Sequence, residues 1–120
     1  MVKLTKREEQ IMQAFWQQGK SFIRDIIPYL PDPKPHYNSV ATIVKILEEK
    51  GFLTHEIVGN IYCYSPLIAK ADYQKLEVKD IVSRYFDNSY PRMLAFFAKE
   101  QNLSEEELND ILNIIKSKKK

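Results

Sequence analysis

Five residues between positions 38 and 45 carry side chains that can bind the edges of nucleic-acid bases. They are Asn38, Ser39, Ala41, Thr42 and Lys45. An asparagine amide can pair with adenine through two hydrogen bonds, hydroxyl groups can bond bases or phosphates, and a lysine ammonium suits guanine or a phosphate. The methyl groups of Thr42 and Ala41 can touch thymine. These groups act together only if one element presents them on the same exposed side.

We predict a helix from Asn38 to Lys50 that presents these residues. Asn38 is a favoured N-cap residue, and Gly51 suits the position after the last helical turn. Four apolar residues recur at helical spacing and form the buried stripe: Val40, Ile43, Val44 and Leu47. The opposite side then faces outward. The alternative is that Asn38 is only a cap and that Ser39 and Thr42 are ordinary surface residues.

A β-hairpin is predicted directly after this helix. Its strands run from Phe52 to Val58 and from Ile61 to Ser65, and Gly59-Asn60 between them suits a two-residue type II′ turn. The turn residue Asn60 could reach the sugar-phosphate backbone or the minor groove of DNA, and the alternative is a plain exposed turn. The expected pairs across the hairpin are His55 with Tyr64 and Ile57 with Tyr62.

Two helices are predicted before these elements. The stretch Thr5-Lys6-Arg7-Glu8 is a capping box that begins the first helix, and Gly19 suits its end. The second helix, Ile23 to Leu30, contains Pro28, so we expect it to bend or end early. Three helices followed by a hairpin is the order of a winged helix-turn-helix, in which the third helix enters the major groove of duplex DNA.

Three further helices are predicted after residue 70: Lys70 to Phe86, Pro91 to Lys99, and one begun by a capping box at Ser104. The middle helix is apolar on nearly every side, and two amphipathic neighbours cannot cover it in so small a unit. A second copy of the chain would cover it, and the alternative is a monomer that sandwiches it internally. The residues expected in the dimer interface are Tyr73, Ile81, Tyr85, Met93, Phe96, Phe97, Ile111 and Ile115.

The predicted fold is therefore mainly α with a small β-hairpin wing. Residues 1–67 would form a winged helix-turn-helix DNA-binding domain, and residues 68–120 a helical dimerisation domain of three helices. The net charge is only +2, so the prediction rests on pattern rather than on basicity.

Composition excludes several function classes. Three glycines leave no room for a phosphate-cradling loop, and Cys63 forms no metal-ligand spacing with His36 or His55. We therefore expect no enzyme, no metal and no cofactor. The chain starts with no signal-peptide core and has no apolar run near the ~20 residues of a membrane span, so a cytoplasmic protein is expected.

Four segments share their order and spacing with a known family. They are Leu4-Thr5-x-x-Glu8 with Phe15-Trp16, Asn38-Ser39-Val40-x-Thr42 leading into Leu47 to Leu53, the wing from Gly59 to Leu67, and Leu103 to Leu108. Over essentially the whole chain, they resemble the penicillinase repressor (BlaI/MecI/CopY) family of bacterial transcriptional repressors. The resemblance implies a homodimer that binds a palindromic operator, with the winged helix reading DNA and the C-terminal helices pairing the subunits.

The resemblance also implies a membrane sensor or protease pathway as a partner, because a sensor triggers cleavage of an Asn-Phe bond in the antibiotic-resistance members. This chain has Phe96-Phe97 at the matching place, and lysines replace the C-terminal cysteine cluster of the copper-responsive members. The rival function is a winged helix that binds proteins and never touches DNA.

Overall fold

The computed structural model describes residues 3–100 and 103–118, with the backbone alone at positions 115, 117 and 118. The chain divides into two compact units, Met1–Gln74 and Lys75–Lys120. The predicted boundary lay after Leu67. In the structure the division between the units lies inside the following helix, because Tyr73, in the first turns of that helix, belongs to the core of the first unit.

The first helix, α1, runs from Lys6 to Gln18. Its predicted capping box is confirmed: the Glu8 amide donates to Thr5 Oγ1 at 3.2 Å, and the Glu8 carboxylate accepts from the Thr5 amide at 2.8 Å. Gly19 ends the helix at φ +76°, a conformation that glycine adopts without steric cost. One face of α1 carries the buried residues Ile11, Met12, Ala14 and Phe15.

The second helix is as short as Pro28 predicted. Strand β1, Ser21–Phe22, leads into α2, Ile23–Ile26, and a 3₁₀ turn, Ile27–Tyr29, follows. Pro28 lies in that turn and cannot donate the backbone hydrogen bond that a longer α-helix would need.

The third helix, α3, runs from Tyr37 to Glu49, one residue ahead of the prediction. The assignment of Asn38 as the N-cap was wrong. His36 is the cap residue, with extended backbone angles, and its carbonyl accepts from the amides of Ser39 and Val40 at 3.1 Å. Asn38 is therefore inside the first turn, so its side chain is not needed as a cap.

Gly51 reverses the chain after α3. It adopts φ +85° and donates its amide to the Glu48 carbonyl at 3.0 Å, while the Phe52 amide donates to Leu47 at 2.9 Å. This pair of bonds is a Schellman motif. It directs Phe52, which is fully buried, back into the core.

Strands β2, Leu53–Val58, and β3, Ile61–Pro66, form the predicted hairpin, and β1 adds a third antiparallel strand in the order β1-β3-β2. The predicted register is confirmed, with His55 opposite Tyr64 and Ile57 opposite Tyr62. The turn is not type II′. Gly59 has φ +54° and Asn60 has φ +71°, which is the type I′ pattern that matches the strand twist.

The core of the first unit joins its helices to the hairpin. The Trp16 indole N–H donates to the Ile68 carbonyl at 2.8 Å, which ties α1 to the segment after the hairpin. The buried apolar residues of this core are Leu4, Ile11, Met12, Ala14, Phe15, Ile23, Ile26, Leu30, Val40, Val44, Leu47, Phe52, Leu53, Tyr64 and Tyr73.

Three helices follow: α4, Lys70–Tyr85, α5, Tyr90–Glu100, and α6, Glu105–Lys118. The capping box predicted at Ser104 is confirmed, since the Glu107 amide donates to Ser104 Oγ at 3.1 Å and the Ser104 amide donates back to the Glu107 carboxylate at 3.2 Å. No helix within the described residues has the length and apolar character needed to span a membrane.

Candidate nucleic-acid interface

The exposed side of α3 carries the polar residues on which the sequence prediction rested. Asn38, Ser39, Thr42 and Lys45 are all exposed, and the opposite stripe is fully buried at Val40, Val44 and Leu47. The helix therefore shows one face to the core and a second, polar face outward. Helical spacing alone separates these faces, and this is why the sequence could predict the arrangement.

Hydrogen bonding within α3 leaves most of these groups available to a ligand. Asn38, Ser39 and Lys45 form no side-chain hydrogen bond or ion pair with any residue of the described part of the chain. The Thr42 hydroxyl donates to the Asn38 carbonyl at 3.0 Å, so its methyl and its oxygen lone pairs remain for contact. Ala41 is half-buried and packs against the core, so it contributes the least surface of the five.

Two residues at the start of α3 belong to the same exposed region and were not predicted. His36 is exposed, and Tyr37 is 50% exposed. The assignment of Asn38 as the cap had placed both of them outside the helix. Both residues therefore add to the exposed surface at the N-terminal end of α3.

The hairpin is apolar toward its tip. Ile57 is 64% exposed, and Val58, Ile61 and Tyr62 are exposed as well. Asn60, predicted to contact DNA, is exposed in the turn. From Leu53 to Pro66 the hairpin contains no lysine or arginine, so it offers DNA an amide and apolar side chains rather than cations.

A side-chain contact joins the hairpin to the last turn of α3. His55 Nδ1 is hydrogen-bonded to Glu48 Oε2. The imidazole also stacks on the Tyr62 ring, with centroids 4.1 Å apart and planes 7° from parallel. Burial raises the pKa of the Tyr64 phenol, and the nearby negative charge of Glu48 raises it further. The predicted register placed His55 opposite Tyr64 but did not indicate the contacts of His55 with Glu48 and Tyr62.

Several cations of the first unit are already paired. Lys50 contacts both carboxylate oxygens of Glu8 at 2.8 Å, Lys20 pairs with Glu56, and the Arg24 guanidinium lies over the Phe22 ring. Lys45 is thus the cation that the exposed side of α3 presents without a partner among the described residues. Charge attraction to phosphates is accordingly modest, in keeping with the low net charge.

The residues predicted to pair two subunits differ in their exposure. Ile81, Tyr85, Phe96 and Phe97 are exposed, whereas Met93 and Ile111 are half-buried, and the side chain of Ile115 lies outside the described residues. Tyr73 differs from the prediction. It is only 5% exposed and packs against Trp16 and Phe52 with centroids 5.7 and 5.8 Å away, so it is a core residue of the first unit.

The described residues contain no group of three histidine, cysteine or acidic side chains that could hold a metal ion. Cys63 is buried in the central strand β3 and pairs across the sheet with Phe22 and Glu56.

Comparison with known proteins covers both units. A sequence profile of a family described as "Penicillinase repressor" matches residues 4–117. The penicillinase repressor of Bacillus licheniformis is 24% identical over 122 residues, which is 98% of this chain and 92% of that protein. The methicillin resistance regulatory protein MecI of Staphylococcus aureus strain N315 is 20% identical over 117 residues, and the MecI of Mammaliicoccus sciuri is 20% identical over 119; each alignment covers 97% of this chain and 95% of the relative.

Proposed function

The chain belongs to the penicillinase repressor family, and we propose that this DNA-binding transcriptional repressor acts as a homodimer on a palindromic operator, with α3 in the major groove and the hairpin wing on the adjoining backbone. The observation that carries the proposal is the polar outer face of α3. Asn38, Ser39 and Lys45 hold donors and acceptors that no described residue of the chain satisfies. Such a face, opposite a fully buried stripe, suits a helix that reads base edges.

The wing supports the same placement. The turn residues Gly59 and Asn60 are exposed immediately after the strand that follows α3. A short amide side chain at the tip can bond a phosphate or a minor-groove acceptor, and apolar neighbours can pack on deoxyribose. Since phosphate contacts position a protein and base contacts specify the site, the wing would set the orientation of α3 on the duplex.

The C-terminal unit supports pairing of two chains. No described residue of α5 is buried, although the helix contains six consecutive apolar residues, from Met93 to Ala98. Phe96 is 47% exposed, and the Phe86, Phe96 and Phe97 rings contact one another with centroids 5.5 to 6.5 Å apart. A second copy related by a two-fold axis would bury this cluster, and two-fold pairing would give the operator its palindromic symmetry.

The DNA-binding proposal is tested by selecting duplexes from a random pool with the full chain. We expect the double variant Asn38→Ala/Thr42→Ala to bind the selected duplex about 10-fold to 100-fold more weakly, because a good base contact contributes roughly 1–3 kcal/mol. The matched control is Gln13→Ala/Gln17→Ala, which removes two exposed polar side chains from α1 and should bind like the parent.

Two results would contradict this assignment. A double variant that binds the selected duplex as tightly as the parent would show that α3 does not read the bases. A parent that selects no duplex at all would favour the rival function, a winged helix that binds proteins. Binding by the parent should also weaken as salt concentration rises, since phosphate contacts release counterions.

The dimer is tested separately by sedimentation at micromolar concentration. We expect the parent to sediment as a dimer and Phe96→Asp to sediment as a monomer, because burying an unpaired carboxylate in an apolar interface is strongly unfavourable. Lys79→Asp, which places the same charge at an exposed position of α4, should remain dimeric. A monomeric parent would exclude this mode of assembly.

A further inference from the structure

We propose that His55 is a positioning residue that fixes the wing against α3 through Glu48, and that the wing contributes to DNA binding only while this contact holds. The inference rests on the proposed function, since it concerns how one part of the DNA-binding surface is held relative to another. Neither residue needs to touch DNA for the proposal to hold.

Two contacts restrain the imidazole of His55. Its Nδ1 is hydrogen-bonded to Glu48 Oε2, and its ring lies flat on Tyr62 at 4.1 Å. The Tyr64 ring, directly opposite His55 in β3, lies with its centroid 5.6 Å from that of the imidazole. The side chains of His55 and Glu48 are 29% and 28% exposed, so water competes for this hydrogen bond less than it would at an open surface.

A carboxylate at position 48 is electrostatically unfavourable, and its contact with His55 offsets this cost. The last turn of α3 contains no basic residue, and a carboxylate there opposes the negative end of the helix dipole. A carboxylate near DNA also repels phosphates. Glu49, the next residue, meets the same conditions but is exposed and forms no ion pair within the described part of the chain. Of the two carboxylates, Glu48 alone has a structural partner in the wing.

The composition of the wing explains why it needs such a restraint. Because no lysine or arginine lies between Leu53 and Pro66, attraction to phosphates cannot hold the hairpin on DNA. Pairing with β1 restrains one edge, at Cys63 and Tyr64 of β3. The hydrogen bond that Glu48 accepts from His55 restrains the other edge, in β2, three positions before the strand ends at Val58. The pairing with β1 and the hydrogen bond to Glu48 therefore restrain the outer edges of both strands of the hairpin.

The experiment compares two carboxylates of the same helix on the duplex selected by the parent. Electrostatics alone predicts that Glu48→Ala and Glu49→Ala both bind DNA as tightly as the parent or more tightly, since each removes a negative charge. Positioning predicts opposite results. We expect Glu49→Ala to bind as tightly or more tightly and Glu48→Ala to bind about tenfold more weakly, the loss of one charge-assisted hydrogen bond.

Three further variants separate positioning from a general loss of structure. His55→Ala should weaken binding as much as Glu48→Ala, and the double variant should be no weaker than either single variant, because both remove the same contact. Glu48→Gln should recover most of the affinity, since an amide oxygen still accepts from Nδ1–H. All variants should melt within a few degrees of the parent, as expected for changes at partly exposed positions.

Footprints give the second readout. Protection from hydroxyl radicals should disappear from the sugars beside the wing in Glu48→Ala, while protection of guanine N7 in the major groove under α3 should remain. Equal affinities of Glu48→Ala and Glu49→Ala, or a uniform loss of both footprints, would overturn the inference and leave the proposed function intact. A parent that selects no duplex would overturn the proposed function, and the inference with it.

Discussion

Glu8 is a buried carboxylate that links the start of α1 to the end of α3. It is 5% exposed, accepts from the Thr5 amide at 2.8 Å, and receives the Lys50 ammonium on both oxygens at 2.8 Å. Replacing Glu8 by alanine removes all three hydrogen bonds. We expect this substitution to be among the most destabilising single changes outside the apolar core.

The magnitude follows from these contacts. The reciprocal bond of a capping box contributes about 1 kcal/mol, and a hydrogen bond between charged groups contributes about 1.5–3 kcal/mol. The Lys50 side chain is 23% exposed and can recover part of its hydration, so the loss stays below the range of a fully buried pair. The free energy of unfolding should fall by about 3 kcal/mol, which lowers the melting temperature of a unit of this size by at least roughly 10 °C.

The assay is thermal and urea unfolding followed by the fluorescence of Trp16, the single tryptophan of the chain. The control is Glu9→Ala, which removes a carboxylate from the same first turn but no described ion pair, and should change stability by less than about 0.5 kcal/mol. If Glu8→Ala melted within about 2 °C of Glu9→Ala, the link between α1 and α3 would be energetically unimportant and the reasoning refuted.

The same residue gives a pH dependence with a defined sign. Burial by itself raises the pKa of Glu8, but hydrogen bonds from Lys50 and Thr5 outweigh it and hold the pKa below its ordinary value of 4.5. A lowered pKa in the folded state adds stability above the ordinary value, and this stability is lost as the pH falls through the folded-state value. The difference in stability between the parent and Glu8→Gln should therefore be constant near neutral pH and shrink below pH 4.5.

Two further changes have outcomes that local geometry determines. In Gly51→Ala the free energy of unfolding should fall by about 1 kcal/mol. Backbone strain is the whole effect, because φ is +85° at this position and an added Cβ meets no atom within 4 Å. Gly51→Asn should be destabilised less, a difference that urea unfolding can resolve. In Trp16→Phe the free energy of unfolding should fall by about 1–2 kcal/mol, because the Ile68 carbonyl loses the indole N–H that donates to it at 2.8 Å. Unfolding followed by circular dichroism measures this change.

The features that the sequence predicted correctly are short-range. Both capping boxes, at Thr5 and Ser104, involve residues three positions apart, and helical spacing alone separates the two faces of α3. The hairpin register was also predictable, since a two-residue loop between alternating strands permits one pairing. The shortening of α2 followed from the chemistry of a single residue, Pro28.

The errors have physical causes that a sequence pattern does not contain. Asn38 is the better cap by side-chain preference, which contributes about 1 kcal/mol, but α3 begins one residue earlier, at Tyr37, with His36 as its cap. The turn is type I′ because Asn60 adopts positive φ as well as Gly59, a conformation that asparagine tolerates better than most other residues. Strand β1 has two residues, too few for any alternation to be seen.

The contacts of the candidate site could be predicted least. Glu48 and His55 are seven residues apart, but one is on a helix and the other on a strand, and no periodicity relates them. Tyr73 was assigned to the dimer interface for being apolar on a C-terminal helix. Its burial depends on Trp16 and Phe52, which are distant in sequence.

The reversal at Gly51 determines where three neighbouring residues act. Glu48 contacts the wing, Lys50 contacts α1, and Phe52 enters the core, all within one turn of chain. The conformation that stabilises the first unit therefore also sets the angle between α3 and the wing. It follows that stability and DNA affinity should not vary independently at this junction: Gly51→Ala should weaken operator binding by more than its cost in stability accounts for, whereas Trp16→Phe, at a comparable cost, should not.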